Sequence, residues 1–237
     1  MKFNITVALA LLFCHLLSSC TKRLEGSGTV ITEDRAVGIF SGIENDGPFR
    51  IILQKRNAYT LRVEGEDNIL PEIETRVING ILKVYYRKPN APAKHDKITI
   101  TVTTPLINQV LTKGGGEIFS DELWLANTGM LSISGPGEIR VNMSSVKLIT
   151  NISGPGNIFL GGDTNDGEFT ISGSGSLHAF NLFAIKVNGN ISGSGKCELQ
   201  VYDQLEGNIS GSGSIYYKGN PEKVNVQIIG NGKVIKL

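Results

Sequence analysis

The residue types best suited to chemistry recur at one distance after a series of Gly-x-Gly motifs. The third position after the last glycine is occupied in successive copies by Phe119, Arg140, Phe159, His178, Glu198 and Tyr216. Carboxylate and imidazole groups can transfer protons, whereas aromatic rings and a guanidinium can bind sugar or protein surfaces. If the copies stack in register, these six side chains form one outward stripe.

Catalysis by such a stripe would need acidic groups clustered on one face, so that a glycosidic bond can be protonated and attacked. No two carboxylates recur at the same outward position in neighbouring copies, and a phenyl ring interrupts the charged set. We therefore predict no catalytic residues and a protein that is not an enzyme. The stripe is a candidate binding surface; the simpler alternative is that its side chains only pack beneath another segment or face water.

Candidate metal and cofactor residues are weakly patterned. Asp163 and Asp166 lie in a glycine-rich stretch that we interpret as a bend, but their spacing matches neither an EF-hand nor a calcium-binding β-roll. Cys197 occupies a position that is otherwise apolar, which indicates a core residue. His95 has no visible partner in its proline-flanked loop. No Gly-x-Gly precedes a helical pattern, so we predict no metal, no cofactor and no nucleotide site.

A repeat of about 19 residues positions the stripe. The last glycines of its seven copies are Gly116, Gly137, Gly156, Gly175, Gly195, Gly213 and Gly232, and their spacings are 21, 19, 19, 20, 18 and 19 residues. Five copies read Ile-Ser-Gly-x-Gly, and their corner glycines are Gly135, Gly137, Gly154, Gly156, Gly173, Gly175, Gly193, Gly195, Gly211 and Gly213. Because glycine reaches positive φ at little cost, the motif predicts a sharp corner between two strands.

Two apolar columns flank these corners. Four residues before the last glycine stand Thr112, Ile133, Ile152, Ile171, Ile191, Ile209 and Ile228, and two residues after it stand Ile118, Ile139, Ile158, Leu177, Cys197, Ile215 and Val234. Polarity alternates with period two around both columns, which is typical of strands. We predict an all-β fold, a parallel β-solenoid with coils of about 19 residues. A series of antiparallel hairpins is the competing prediction, but it would not align like residues in every repeat.

The N-terminal part contains strands without a legible repeat. Alternating segments at 49–53, 59–63 and 97–102 predict strands, and Asn79-Gly80 predicts a type I′ hairpin. We divide the chain into a signal peptide (1–19), a tether (20–27), an N-terminal β region (28–105) and the repeated coils (106–237). The N-terminal β region forms either degenerate coils or an added β-layer.

The first residues have the pattern of an export signal. Lys2 precedes an apolar run from Ile5 to Leu17, which is too short to span a membrane. The segment Leu17-Ser18-Ser19-Cys20 resembles the bacterial lipobox, so we predict cleavage before Cys20, lipidation of Cys20 and attachment to a membrane through that lipid. Ordinary secretion, with Cys20 as a bystander, is the alternative. A formal net charge of +1 without a long basic run argues against nucleic acid as a partner.

The order of these motifs resembles a known family. A lipobox, a Phe40-Ser41-Gly42-Ile43 entry, Gly47-Pro48-Phe49 before a strand, and tandem Ile-Ser-Gly-Ser-Gly coils are similar to the auto-transporter adhesin, head GIN domain family of Bacteroidetes envelope proteins. The resemblance covers about residues 36–220. It implies a right-handed parallel β-helix, an outer-membrane or periplasmic location and an adhesin-like role, and it brings no catalytic residues.

These inferences combine into one functional prediction. We expect a non-catalytic outer-membrane lipoprotein, facing the periplasm or the cell surface, whose repetitive surface binds a glycan or a protein. Two other functions stay open: a periplasmic structural or stress-response component of the envelope, and a carbohydrate-active enzyme. Self-association through the solenoid ends is a further expectation, because an open strand edge can pair with another copy.

Overall fold

The computed structural model describes residues 24–87 and 94–237. Its strands are β1 (Val30–Arg35), β2 (Gly42–Asp46), β3 (Arg50–Lys55), β4 (Thr60–Glu66), β5 (Ile73–Ile78), β6 (Ile81–Tyr86), β7 (Thr99–Thr104), β8 (Gln109–Thr112), β9 (Glu117–Ser134), β10 (Glu138–Ser153), β11 (Asn157–Gly173), β12 (Ser176–Gly193), β13 (Lys196–Gly211), β14 (Ser214–Lys218), β15 (Lys223–Gly230) and β16 (Lys233–Lys236). A 3-10 turn lies at Leu70–Glu72. The predicted signal peptide, Cys20 and the first part of the tether lie outside the described residues. No helix in the described ranges is long and apolar enough to cross a membrane.

The repeats form the predicted stack of coils. Each of β9 to β13 bends around one coil and pairs in parallel with the next, so that Ile152 lies beside Ile133 on one side and Ile171 on the other. The stack has about seven turns of about 19 residues. The all-β solenoid is therefore confirmed, and the competing series of antiparallel hairpins is wrong for these repeats.

Each complete coil has three sides, which the alternation of buried and outward residues makes visible. In β12 this alternation breaks where two successive residues face outward, at Phe180–Asn181 and at Ile185–Lys186. We call residues 176–180 and their partners in other coils the first side, 181–185 the second side and 186–193 the third side. The glycine corner joins the third side of one coil to the first side of the next.

The two positions of each corner require glycine for different physical reasons. Gly173 has a φ of +122°, a conformation that residues with a Cβ rarely adopt. Gly175 has no such dihedral; instead, a Cβ there would meet the carbonyl oxygen of Gly156 and lie 2.5 Å from Cγ2 of Ile152. The first glycine is thus needed for the turn, and the second for close approach to the coil below.

The N-terminal residues add further coils to the stack and also add antiparallel strands at its end. Strands β2, β3, β6, β7 and β8 pair in parallel along the coil direction, and Gly47 lies directly below the Gly114–Gly116 corner. Strands β1, β4 and β5 add antiparallel pairings at the end. Both alternatives therefore apply in part: degenerate coils carry an antiparallel addition. Asn79 (φ 53°) and Gly80 (φ 74°) link β5 to β6 in the predicted hairpin.

A continuous apolar interior holds the coils together. Trp124 is fully buried and donates its ring N–H to the Ser120 hydroxyl over 3.0 Å. Phe169 is also buried, and its ring takes the space that a side chain at Gly167 would need. Pairing a large ring with a neighbouring glycine keeps the interior densely packed where coils differ in sequence.

Candidate functional site

The six stripe residues form a register-matched row along the first side, which we call the outer ladder. Strand pairing places Phe119 beside Arg140, Arg140 beside Phe159, and Phe159 beside His178. The row then continues through Glu198 to Tyr216. The ladder residues are partly or fully exposed, so the row lies on the outside of the stack.

The middle of the ladder is a chain of direct contacts. The guanidinium carbon of Arg140 lies 3.9 Å from the centre of the Phe159 ring. The other neighbour of that ring is His178, stacked with a centroid separation of 4.5 Å and an interplanar angle of 12°. Nδ1 of His178 lies 2.7 Å from Oε2 of Glu198. Cation–π and stacking contacts thus engage Phe159 from both neighbouring coils, and its edge is what remains toward solvent.

Glu198 anchors the far end of this chain of contacts. Lys196 donates a hydrogen bond to its second carboxylate oxygen, and the same ammonium lies 4.9 Å from the centre of the Tyr216 ring. Partial burial raises the pKa of Glu198, but the hydrogen bonds from Lys196 and His178 outweigh that effect. The pKa therefore lies below its usual value of 4.5, and the carboxylate is ionised at neutral pH.

A groove runs beside the ladder, and differences in coil length create it. At the junction of the first and second sides, β9 has extra residues relative to β10, and β12 has one extra residue relative to β11. These bulges form raised walls over two shorter coils. The floor between the walls is Gly161, which lies between Asn142 and Asn181 in the neighbouring coils. We call this depression the side groove; its volume is about 370 Å³.

Planar polar groups dominate the lining of the side groove. The residues with such groups are Asp121, Arg140, Asn142, His178, Asn181 and Glu198, and the aromatic lining residues are Phe159 and Phe180. Asn142 donates to the carbonyl of Asp121 over 3.1 Å, so its amide extends across the groove. Arg140 gives one of its donors to Glu138 over 3.1 Å. The guanidinium and the amides retain further hydrogen-bonding capacity toward the groove.

The structure joins some predicted site residues and separates others. Arg140, Phe159, His178 and Glu198 contact one another in sequence, and Tyr216 joins them through Lys196. Phe119 is in register but makes no ring contact with Arg140 among the described contacts. The corner glycines lie away from the groove, at the junction of the third and first sides.

The structure shows the surroundings of three further residues that were interpreted from the sequence. Asp163 accepts a hydrogen bond from Ser144 over 2.7 Å, and the stretch interpreted as a bend belongs to strand β11. His95, for which the sequence suggested no partner, lies 2.8 Å from the Tyr86 hydroxyl. Cys197 is buried, and burial followed by the charge of Glu198 raises the pKa of its thiol. Within the described ranges, no group of three metal-ligating side chains occurs.

Sequence reasoning missed several residues around the groove. Phe180 lines it, and Lys218 lies 4.5 Å from the centre of that ring. Phe183 and Tyr202 form an aromatic pair on the second side, with centroids 5.8 Å apart. The available signal was the uneven spacing of the glycines, because the 21-residue and 20-residue intervals contain the bulges that raise the groove walls.

This architecture defines a class of protein, a β-solenoid that offers an open lateral surface. A family model described as "Putative auto-transporter adhesin, head GIN domain" matches residues 39–221, and the chain belongs to this family. The resemblance of the motifs is thereby confirmed. Membership supports an adhesin-like protein of the cell envelope or surface.

Solved structures share the fold. A protein from Bacteroides fragilis named a "putative adhesin" is 24% identical, with a TM-score of 0.84 over 90% of this chain and 100% of that chain. A Parabacteroides distasonis protein named a "putative lipid binding protein" is 24% identical, with a TM-score of 0.75 over 91% and 100% of the two chains. A second P. distasonis "putative adhesin" is 22% identical, with a TM-score of 0.75, 91% of this chain and 100% of that chain being covered. The curated proteins contain no match.

Proposed function

We propose that the protein is a lipid-anchored, non-catalytic envelope protein that binds a glycan through the side groove. The observation that carries the proposal is the groove itself, an open depression of about 370 Å³ floored by Gly161. A volume of this order accommodates a small ligand. The open shape suits a chain that passes through rather than a molecule that is enclosed.

The chemistry of the lining favours sugar over protein. Carboxylate, amide and guanidinium groups can each make paired hydrogen bonds, which match the adjacent hydroxyls of a sugar ring. The side groove brings together Asp121, Arg140, Asn142 and Asn181 beside the edges of Phe159 and Phe180. A protein ligand would instead be expected to use a broad apolar centre with a polar rim.

The state of Glu198 supports binding rather than glycoside hydrolysis. A catalytic acid of that reaction needs a pKa raised toward neutrality so that it can donate a proton. Lys196 and His178 hold the carboxylate of Glu198 in hydrogen bonds, and its pKa is lowered. The residue is therefore suited to orienting His178 and, through it, the ladder.

We propose an anchor at Cys20 because this residue lies a few positions before the first residues that the structure describes. Glu66 accepts hydrogen bonds from the backbone N–H of Gly28 over 2.7 Å and of Asp96 over 2.8 Å. This fixes the start of the described chain beside β4. A lipid on Cys20 would hold Gly28 within about 29 Å of the membrane, since the eight-residue step from Cys20 to Gly28 spans at most about that distance when extended.

The glycan proposal can be tested by filling the groove. A Cβ at position 161 meets only the flexible end of Asn142 closely, so Gly161→Gln is expected to fold and to occupy the floor. Asn165→Gln, an exposed change on the second side, is the matched control. Binding to a printed panel of bacterial and host glycans should be lost in Gly161→Gln and kept in the control. Equal binding by both variants, with equal thermal unfolding, would contradict the proposal.

Anchoring and exposure are tested separately. Cys20→Ser should move the protein from the membrane fraction to the soluble fraction of lysed cells. Protease added to intact cells should remove the wild-type protein if it faces outward. Protection until lysis would place it in the periplasm and would move the search to periplasmic glycans.

A further inference from the structure

Two aromatic side chains on the second side have no role in the ladder or in the side groove. Phe183 is 44% exposed and Tyr202 is 64% exposed. Within the described ranges, they are the only aromatic residues in the exposed class. Exposing two neighbouring rings gives up the favourable burial of a large apolar area, so the pair departs from what a merely structural surface requires.

Phe183 and Tyr202 also differ from the ladder rings Phe159 and Tyr216 and from the groove ring Phe180, because those three rings each have a cation over one face. No such cation lies over Phe183 or Tyr202 among the described contacts. Their mutual contact is tilted, with an interplanar angle of 41°, and so leaves ring surface accessible. These two residues therefore offer what the groove lacks, an uncovered aromatic face.

The pair is continuous with the side groove. Phe183 follows the groove residue Asn181 by two positions on the same outward face, a distance of about 7 Å along a strand. The bulge that makes the groove wall ends directly at this point, because Ala179 and Phe183 pair with the successive residues Leu199 and Gln200. A chain leaving the groove over this wall would next meet Phe183 and then Tyr202.

We propose that Phe183 and Tyr202 form a second sugar-stacking subsite, so that the protein binds an extended oligosaccharide rather than a single sugar. The C–H face of a pyranose ring packs against an aromatic face, while its hydroxyls stay in water or meet polar neighbours. Coils repeat every 4.8 Å or so along the stack, which is similar to the length of one pyranose unit. The inference rests on the proposed glycan binding and assigns an extended ligand that spans both the side groove and the aromatic pair.

The test is the dependence of affinity on chain length. Cello-, xylo-, manno- and chito-oligosaccharides from dimer to octamer are titrated by calorimetry against the wild type, Phe183→Ala, Tyr202→Ala and Gly161→Gln. Wild-type affinity should rise with length and then level off. The two aromatic truncations should bind long oligomers about tenfold more weakly, and the shortest binding oligomers unchanged. Phe183→Trp should retain the length dependence.

Val146→Ala is the matched control, because Val146 is an apolar residue of the second side, 50% exposed, two coils away. Wild-type binding that is unaffected by both aromatic truncations would overturn the second subsite and leave the groove proposal standing. Failure of the wild type to bind any of these oligosaccharides or any member of the glycan panel would overturn both. Retention of the wild type on phosphatidylcholine vesicles, lost in Phe183→Ala, would overturn the subsite by assigning the rings to lipid.

Discussion

At the scale of single residues, Glu198 shows how one carboxylate organises a surface. It holds His178 in the orientation that stacks on Phe159, and that ring in turn supports the guanidinium of Arg140. Each contact is worth little at an exposed site, but each also restricts the rotamers of the next side chain. The polar groups that face the groove are therefore more ordered than isolated surface residues would be.

The pH dependence of stability should report this arrangement. Because the pKa of Glu198 is lowered on folding, its ionised form stabilises the fold above the unfolded-state pKa, and that contribution is lost as the pH falls through the lowered pKa. Glu198→Gln should thus reduce the free energy of unfolding at pH 7, by about 1 kcal/mol. The difference from wild type should shrink in acid.

Urea denaturation across the acidic range compares the wild type with Glu198→Gln, and the same substitution at the exposed Glu222 is the matched control. A deficit of Glu198→Gln that is independent of pH would show that shape, and not charge, is responsible.

The position of the ladder could be predicted from sequence, but its contacts could not. The fixed offset from the glycines places Arg140, Phe159 and His178 in one row because parallel strands preserve register. That the guanidinium and the imidazole contact Phe159 depends on side-chain rotamers, which spacing does not encode. His95 illustrates the same limit, since its partner Tyr86 precedes it across a proline-containing segment.

At the scale of elements, Gly175, the second glycine of a corner, should tolerate an added methyl group less well than Gly80 of the β5–β6 hairpin. Gly175→Ala forces a Cβ against backbone of the preceding coil, and overpacking of this kind costs about 3 kcal/mol. Gly80→Ala has open space around it, so only its left-handed φ of 74° is penalised, by about 1 kcal/mol. Thermal and urea unfolding of the two variants compare these values directly. Equal losses would show that the close approach at Gly175 costs no more than the left-handed φ at Gly80.

The elements of the repeats were predictable for a reason that fails in the N-terminal part. In the coils, sequence order and spatial order agree, so a fixed period identifies neighbours. Before β9 they disagree, because β3 lies between β7 and β9 although it precedes β7 in the chain. Only local signals survive there, such as the Asn79-Gly80 hairpin. The division of the chain at residue 105 stays a prediction.

At the scale of the whole molecule, stability should vary along the stack. Ile171 and Ile228 hold the same column position, but Ile171 is 1% exposed and Ile228 is 43% exposed. Truncation of Ile171 to Ala should therefore cost about 3 kcal/mol, and the same change at Ile228 less than half as much. Urea denaturation followed by circular dichroism measures the two variants. Equal costs would imply that Ile228 is covered in solution.

Such covering would come from a second copy, and we propose weak association through this end. Strands β15 and β16 each pair on one edge only, and Ile229 is 73% exposed. Lys233 and Lys236 are the first and last residues of β16, so like-charge repulsion should limit pairing at low salt. Sedimentation should show dimers that increase with protein concentration and salt, and Ile229→Lys should suppress them. A wild-type protein that stays monomeric throughout would exclude the association.

The side groove has a consequence for how such proteins can diversify. Its walls exist because two coils are longer than the two between them, while the inward columns remain aligned across all four. Adding or deleting one residue at the bulge would deepen or level the groove without a single core substitution. In this architecture, the length of each repeat therefore determines the shape of the binding surface, in addition to the identity of its residues. Relatives with identical cores can diverge in ligand through insertions and deletions alone.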